Sequence, residues 1–186
     1  MNIGFAMCGS FCTFSQVFPI MEALTKEHTL TPIFSPVSCR ADTRFGTAAD
    51  HLRKAAEICG REPLRTIEQV EPIGPKKLLD ALIIAPCTGN TLAKLAHSIA
   101  DTSVTMAAKS HLRNGRPVII AVSTNDALAG AAENIGRLLA RKNYYFVPFG
   151  QDDAVNKPAS MVADFTKIPE ALDAALQGRQ LQPILL

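Results

Sequence analysis

Between the apolar run Ala81-Leu82-Ile83-Ile84-Ala85 and a stretch of helical period, the chain places Pro86, Cys87, Thr88, Gly89, Asn90 and Thr91. A plain strand-to-helix turn needs one capping hydroxyl. Here Thr88, Asn90 and Thr91 surround a glycine whose missing side chain lets a flat group approach the backbone. At a helix start the first N–H groups have no intrahelical acceptor, so this set suits a planar heteroaromatic with a phosphate tail. Pro86 is expected to turn the chain out of the strand. Cys87 is either a reactive thiol or a small buried one.

Other stretches repeat the theme. "CGSFCT" offers Gly9 for close backbone approach, with Ser10 and Thr13 as hydroxyls for an anion site or for capping a helix. It lacks GxGxxG and GxxxxGK[ST] spacing, which weakens dinucleotide and nucleoside-triphosphate readings. "FSPVSCRADTRFG" supplies Ser35 and Ser38, and its Arg40 and Arg44 either pair with phosphate or carboxylate or stay solvated. "AVSTNDAL" brings Ser123, Thr124, Asn125 and Asp126, of which Asn125 can hydrogen-bond a ring edge or a carboxylate, or cap the next helix. Asp152 and Asp153 in "VPFGQDD" read as solvated turn acids. His28, His51, His97 and His111 fall in or beside helical segments, where surface or packing roles are expected.

Each polar stretch follows an apolar run, so the runs must position them. Strands are predicted over 2–8, 29–35, 80–86, 116–122 and 144–149, with a weaker one near 70–74. Helical segments alternate with them, the pattern of a parallel sheet covered on both faces. In such a sheet ligands sit beyond the carboxyl ends of the strands. The first helix carries Phe14, Val17, Phe18, Met21 and Leu24 on one face, and Pro19 must kink it or mark a late start. A second shows Leu92, Leu95, Ala96 and Ile99, and a third over 128–142 ends in Arg137, Arg141, Lys142 and Asn143. The irregular stretches 36–50 and 150–161 should border a site. The tail "LQPILL" should pack on its own domain or on a partner.

With 186 residues, 47% of them hydrophobic, the chain suits one sizeable core, hence a single domain over 1–186. Nineteen Lys and Arg against 17 acidic residues leave a formal +2, too little to steer nucleic acid or an anionic membrane. Cys8, Cys12, Cys39, Cys59 and Cys87 show no zinc-ligand spacing and are expected as reduced thiols, with no metal. The first apolar run starts without a basic leader, and no stretch of about 18 apolar residues occurs, so a soluble, cytoplasmic protein is expected.

"APCTGNTLAKLAHSIAD" resembles the PASANT-type signature of the homo-oligomeric flavin-containing cysteine decarboxylase family. "CGS" looks like that family's phosphate-binding Thr-Gly-Ser, with Cys8 for the threonine. "AVSTND" matches its Pro-Ala-Met-Asn segment, keeping Asn125 while losing the proline and methionine. The blocks "FPIMEAL", "DTRFGTAAD", "EPIGPKK", "MAAK", "STNDAL" and "FVPFGQDD" extend the likeness from end to end.

The resemblance implies a three-layer α/β, Rossmann-like domain with a mostly parallel six-stranded sheet, in a trimer or an assembly of trimers. It implies FMN between protomers, held by Gly9, Ser10, Ser35, Thr88, Asn90 and Thr91, with Ser38 as an alternate for Ser35. Asn125 would be the catalytic residue, orienting a carboxylate or the flavin edge, and Arg40 or Arg44 would receive a substrate carboxylate. The decarboxylases' catalytic His-Ile is replaced by Glu71-Pro72-Ile73-Gly74, where Glu71 either stands in as base or is solvated. Within the family the blocks look most like a redox branch of sporulating bacteria. There a separate, dehydrogenase-like A subunit is the partner, and a dihydropyridine dicarboxylate is aromatised in the mother cell. A family decarboxylase, a prenyl-flavin synthase, or a non-catalytic activator of the A subunit are the other readings.

Overall fold

Seven strands and seven α-helices make up residues 1–186, all of which the computed structural model describes. β1 (Asn2–Met7), β2 (Thr29–Phe34), β3 (Ala81–Cys87), β4 (Val118–Thr124) and β5 (Tyr144–Phe146) pair in parallel, side by side in the order β2-β1-β3-β4-β5. Phe5, Ile83 and Ile120 in their middle are wholly buried. A sheet covered on both faces needs such unbroken apolar runs, not alternation.

β6 (Phe149–Gln151) and β7 (Met161–Ala163) pair antiparallel with each other, and β7 pairs antiparallel with Ser123 and Thr124 at the end of β4. Six strands therefore follow the path β2-β1-β3-β4-β7-β6, with β5 attached to β4 beside it. The chain winds one way from β1 to β2 and the other way from β3 onward. The sheet thus reverses direction between β1 and β3, where open α/β sheets hold ligands.

Two groups of helices flank the sheet. α1 (Phe14–Leu24) packs on α2 (Ala48–Cys59) and, through a one-turn 3-10 segment at 165–167, joins α7 (Ile168–Leu176). α3 (Ile67–Val70) and α4 (Gly89–Ala96) pack on α5 (Ser103–Leu112), and α4 also packs on α6 (Ala132–Leu139). In α2, Ala48, His51, Leu52 and Ala55 are buried at helical spacing, Thr47 accepts the Asp50 N–H as its cap, and Gly60 at φ +63° ends it. In α5, His111 is wholly buried with Nε2 3.1 Å from Pro117 O, and burial pushes its pKa down to about 4. Forty-eight buried apolar residues form one continuous core.

The structure corrects several expectations. Residues 70–74 form no strand, since Thr66 and Gln69 make a reciprocal capping box that starts α3, and a 3-10 turn follows over 71–73. Pro86 does not turn the chain, because it lies buried inside β3, where the ladder shifts register between Ile84 and Cys87. Ser123 and Thr124 belong to β4, and the predicted strand 144–149 splits into β5 and β6 around Val147-Pro148. α1 starts at Phe14 and runs through an exposed Pro19. α4 stops at Ala96, so Ile99 leaves its buried face and is exposed. Of 128–142 only 132–139 is helical, because the preceding turn uses Asp126 O to accept the Ala129 and Ala131 N–H groups. Arg141 caps α4 instead of its own helix, donating to Leu95 O and Ala96 O. The tail lies along β6, where Phe149 donates to Ile184 O and Leu186 donates to Phe149 O.

Candidate functional site

After β1 the chain makes a tight turn, with Ser10 N–H donating to Cys8 O at 2.9 Å and Cys8 N–H stitched to Pro86 O on β3 at 3.2 Å. A 3-10 turn over 11–13 follows, and Thr13 spends its hydroxyl on Ser10 O at 2.9 Å. Ser10 caps nothing. Its Oγ meets Ser123 Oγ at 2.7 Å, which ties the β1 exit to the β4 exit. The N–H groups of Gly9, Phe11 and Cys12 have no acceptor in the chain.

At the β3 exit Thr88 occupies the N-cap of α4 without a side-chain capping bond, leaving the N–H groups of Gly89, Asn90 and Thr91 free of intramolecular acceptors. Two helix-start turns with unpaired donors therefore face one rim, a favourable environment for anionic oxygens. Gly89 is needed sterically. A Cβ there would lie 2.8 Å from both Thr124 Oγ1 and Asp126 Oδ1, which are bonded to each other at the β4 exit.

The two long irregular stretches supply the remaining walls. From 36–50 come Thr43 and Phe45, the latter pinned where His51 Nε2 donates to its carbonyl at 3.2 Å. From 150–161 come Asp152, Lys157, Pro158, Ala159 and Ser160, with Leu128 N–H donating to Ala159 O at 3.0 Å. A hydrogen bond from Ser160 holds the Asp152 carboxyl below its usual range against the opposing effect of burial, and Lys157 Nζ stands 3.5 Å from Asp152 Oδ2. Together these parts bound one groove of about 1250 Å³.

Of the residues singled out in the sequence, Gly9, Ser10, Thr88, Asn90 and Asn125 line this groove. Thr91 is buried beneath it, where its hydroxyl donates to Cys8 Sγ at 3.3 Å. Ser35 and Ser38 are not brought to the groove in this chain. Their hydroxyls bond each other at 2.8 Å, and Ser38 also donates to Met7 O. Arg40 and Arg44 are not among the lining residues: Arg40 Nε donates to Pro36 O, and Arg44 lies 4.8 Å from the ring centroid of Phe45, a wall residue. Glu71 begins the 3-10 turn far along the chain from the rim and is exposed.

Several lining residues were not foreseen as site residues. Phe11 and Phe45 add aromatic wall, and Lys157 adds a cation. Asp152, read as a solvated turn acid, also lines the groove, whereas Asp153 turns away to accept from Asn156. For Phe45, Asp152 and Lys157 the one signal in the sequence was membership of the long irregular stretches, and for Phe11 it was its place within "CGSFCT". Cys8 and Cys87 are buried; burial pushes the Cys8 thiol up to about 11 and holds the Cys87 thiol well above its ordinary value, with Cys8 nearby adding to the latter. No group of three His, Cys, Asp or Glu side chains could hold a metal ion, and no helix is long and apolar enough to cross a membrane.

Comparison with known proteins places these features in context. The sequence profile described as "Flavoprotein" matches residues 1–168. The chain is 45% identical over 186 residues to the B subunit of dipicolinate synthase from Bacillus subtilis (strain 168), covering 100% of this chain and 93% of that protein. It is 31% identical over 107 residues to the flavin prenyltransferase UbiX of Escherichia coli (strain K12), covering 52% of this chain and 57% of that one. The crystal structure of the dipicolinate synthase B subunit from Bacillus halodurans superposes with a TM-score of 0.91 at 43% identity, covering 100% of this chain and 95% of that one. The FMN-dependent cysteine decarboxylase SpaF shares the fold, at TM-score 0.67 and 23% identity over 94% of this chain and 97% of that one. With its parallel sheet, its groove at the strand exits and a profile match spanning most of its length, the chain belongs to the flavoprotein family.

Proposed function

We propose that this chain is the FMN-binding subunit of a dipicolinate synthase, oxidising a dihydropyridine dicarboxylate to pyridine-2,6-dicarboxylate together with a dehydrogenase-like A subunit in the mother cell of a sporulating bacterium. The observation that carries the proposal is the convergence of residues 9–12, 88–90 and 123–126 on one groove rimmed by unpaired backbone N–H groups. Full-length likeness to the B subunit of dipicolinate synthase supports the choice of substrate.

The residues present fit FMN. Gly9, Phe11 and Cys12 direct unpaired N–H groups to where a phosphate needs donors. Gly89 leaves the backbone bare where a ring must lie close, and Thr88, Asn90 and Asn125 offer polar contacts along the groove. Bound flavin supplies the two-electron acceptor that this chain's side chains lack, with an oxidised nicotinamide nucleotide on the A subunit as the final acceptor.

Aromatisation removes two hydrogens from the dihydropyridine, one with its bonding pair and one as a proton, and the proton leaves to water in the open groove. The protein's part is orientation. Asn125 positions a carboxylate or the ring edge, and the aromatic walls at Phe11 and Phe45 hold a flat substrate. A trimer, or an assembly of trimers, would close the groove from a neighbouring copy, whose Arg40 and Arg44 remain available to it because they are not spent on this chain's own groove.

The test is a visible spectrum of the purified protein and an FMN titration, followed by an activity assay with the A subunit added. Asn125→Ala should leave the fold intact and reduce synthase activity with the A subunit at least tenfold. Wild-type flavin content and wild-type activity in that variant would overturn the role of Asn125. A protein that binds no FMN yet raises A-subunit activity would favour an activating partner over a flavoenzyme.

A further inference from the structure

Lys157 is the single cationic side chain among the residues that line the groove. Two acids share the lining, Asp126 and Asp152, and both already have partners. Asp126 accepts the Thr124 hydroxyl at the β4 exit, and Asp152 accepts from Ser160 while lying 3.5 Å from Lys157. Arg40 and Arg44 stand outside. An anionic substrate that enters this groove in a single chain therefore meets one ammonium.

The placement of that ammonium is built. Lys157 N–H donates to Asp153 O at 2.9 Å, and its own carbonyl accepts the Ser160 N–H at 2.9 Å, so the backbone is fixed on both sides. The arch it sits on is clamped at its base, where β6 and β7 pair and β7 joins the end of β4. The Asp152 carboxylate, 3.5 Å from Lys157 Nζ, draws the Lys157 side chain over the arch. At 3.5 Å that pairing is loose, and Lys157 has three donors of which one can face Asp152. The remaining donors have no partner in the chain, and the side chain, 60% exposed, lines the groove.

We infer that Lys157 receives a carboxylate of the substrate, with Asp152 as the positioning residue that holds the ammonium in place. Resting on the proposed function, this assigns the dicarboxylate's anionic recognition to the β6–β7 arch and not to Arg40 or Arg44. The flat ring would then lie between the arch and the strand exits, with Asn125 beside it.

The test uses the full-length protein loaded with FMN, alone and mixed with the A subunit. Flavin fluorescence quenching reads FMN binding, and calorimetric titration with pyridine-2,6-dicarboxylate reads the anion separately. Lys157→Gln should weaken dicarboxylate binding at least tenfold and leave FMN affinity within about twofold, because the proposed function gives the phosphate to the unpaired backbone N–H groups and not to this ammonium. Lys157→Arg should restore most of the binding. Asp152→Asn should weaken binding less than Lys157→Gln, and the residual affinity should fall more steeply with added salt. Unchanged binding in Lys157→Gln, or the same loss in Arg40→Gln or Arg44→Gln, would overturn the inference while leaving the flavin reading intact. Wild-type protein that takes FMN but binds no dicarboxylate, with or without the A subunit, would overturn it too. Failure to take up FMN while dicarboxylate binding still depends on Lys157 would count against the flavin reading alone and support the anion site.

Discussion

Replacing Ser10 and Ser123 by alanine, singly and together, tests whether the β1 and β4 exits are physically joined at the groove. Their hydroxyl oxygens lie 2.7 Å apart, the optimum for an O–H···O bond. A neutral pair of this kind contributes about 1 kcal/mol net, whereas a buried hydroxyl stripped of its partner costs roughly 1–3 kcal/mol. The two ends differ in burial. Ser123 is 4% exposed, while Ser10 is half-buried and open to water. Ser10→Ala orphans the buried partner and should cost about 1–2 kcal/mol, and Ser123→Ala leaves a hydroxyl that water can satisfy, so it should cost about 0.5–1 kcal/mol. The double variant strands neither group, so its loss should not exceed that of Ser10→Ala alone, giving a coupling energy of at least about 0.5–1 kcal/mol. Urea unfolding of the four proteins, followed by circular dichroism with the slope checked for constancy, measures each term. Losses that add to within about 0.3 kcal/mol would refute the link, since additivity is the behaviour of residues that share no interaction.

Gly89→Ala should weaken FMN binding about tenfold or more, because the new Cβ would lie 2.8 Å from Thr124 Oγ1 and Asp126 Oδ1 and must displace groups that shape the groove. Fluorescence titration checks this, and an unchanged affinity would mean that the ring does not approach this turn. His111, whose pKa is lowered to about 4 by burial, should make the fold acid-sensitive in one window. Above its unfolded pKa of about 6.5 both states are neutral and it adds no pH dependence; from there down to about 4 the unfolded chain binds the proton that the folded chain refuses. Stability should therefore fall by about 3 kcal/mol across that window and level off below it. Urea midpoints from pH 7 to 4 should show a shallower decline in His111→Asn, and an identical decline would assign the acid sensitivity elsewhere.

The parallel body of the sheet was legible because burial on both faces forces unbroken apolar runs, and "NIGFAM", "ALIIA" and "VIIAV" are such runs. The rim was legible for a related reason: small polar residues directly behind a buried strand have little to do there except cap or bind. What escaped were features that depend on partners distant in sequence. The antiparallel β6–β7 arch is made of two three-residue strands with no period to read, and it exists because β7 can pair with the protruding end of β4. Residues 70–74 misled because Val70 and Ile73 are apolar and near a proline, yet their spacing of three, behind a Thr66–Gln69 box, is helical. Ser35 and Ser38 show the limit of reading hydroxyls as ligands, since in this chain they satisfy each other and Met7 O under the loop. Arg40 and Arg44 had the right chemistry for an anion, but nothing in their spacing could reveal that Lys157, more than a hundred residues later, would be the cation facing the groove.

The cysteine that stands where the family likeness expects a phosphate-binding threonine makes sense once the donors are traced. Cys8 is 1% exposed and offers nothing to the groove. Its sulfur instead accepts from the Thr91 hydroxyl and the Thr88 N–H, so it ties the β1 exit to the start of α4 from below. Burial keeps the thiol protonated up to about pH 11, which matters because a thiolate beneath the rim would repel an anion in a poorly screened setting. Under the proposed function, the attraction for phosphate would rest on the unpaired backbone N–H groups of 9, 11 and 12 and of 89–91, which the turns supply whatever the side chain at position 8. A site built this way tolerates exchange of the hydroxyl for a neutral thiol, provided that the turn at Gly9 and the glycine at 89 remain. On that reading the exchange moves residue 8 from gripping a ligand to bracing the two strand ends that would hold it.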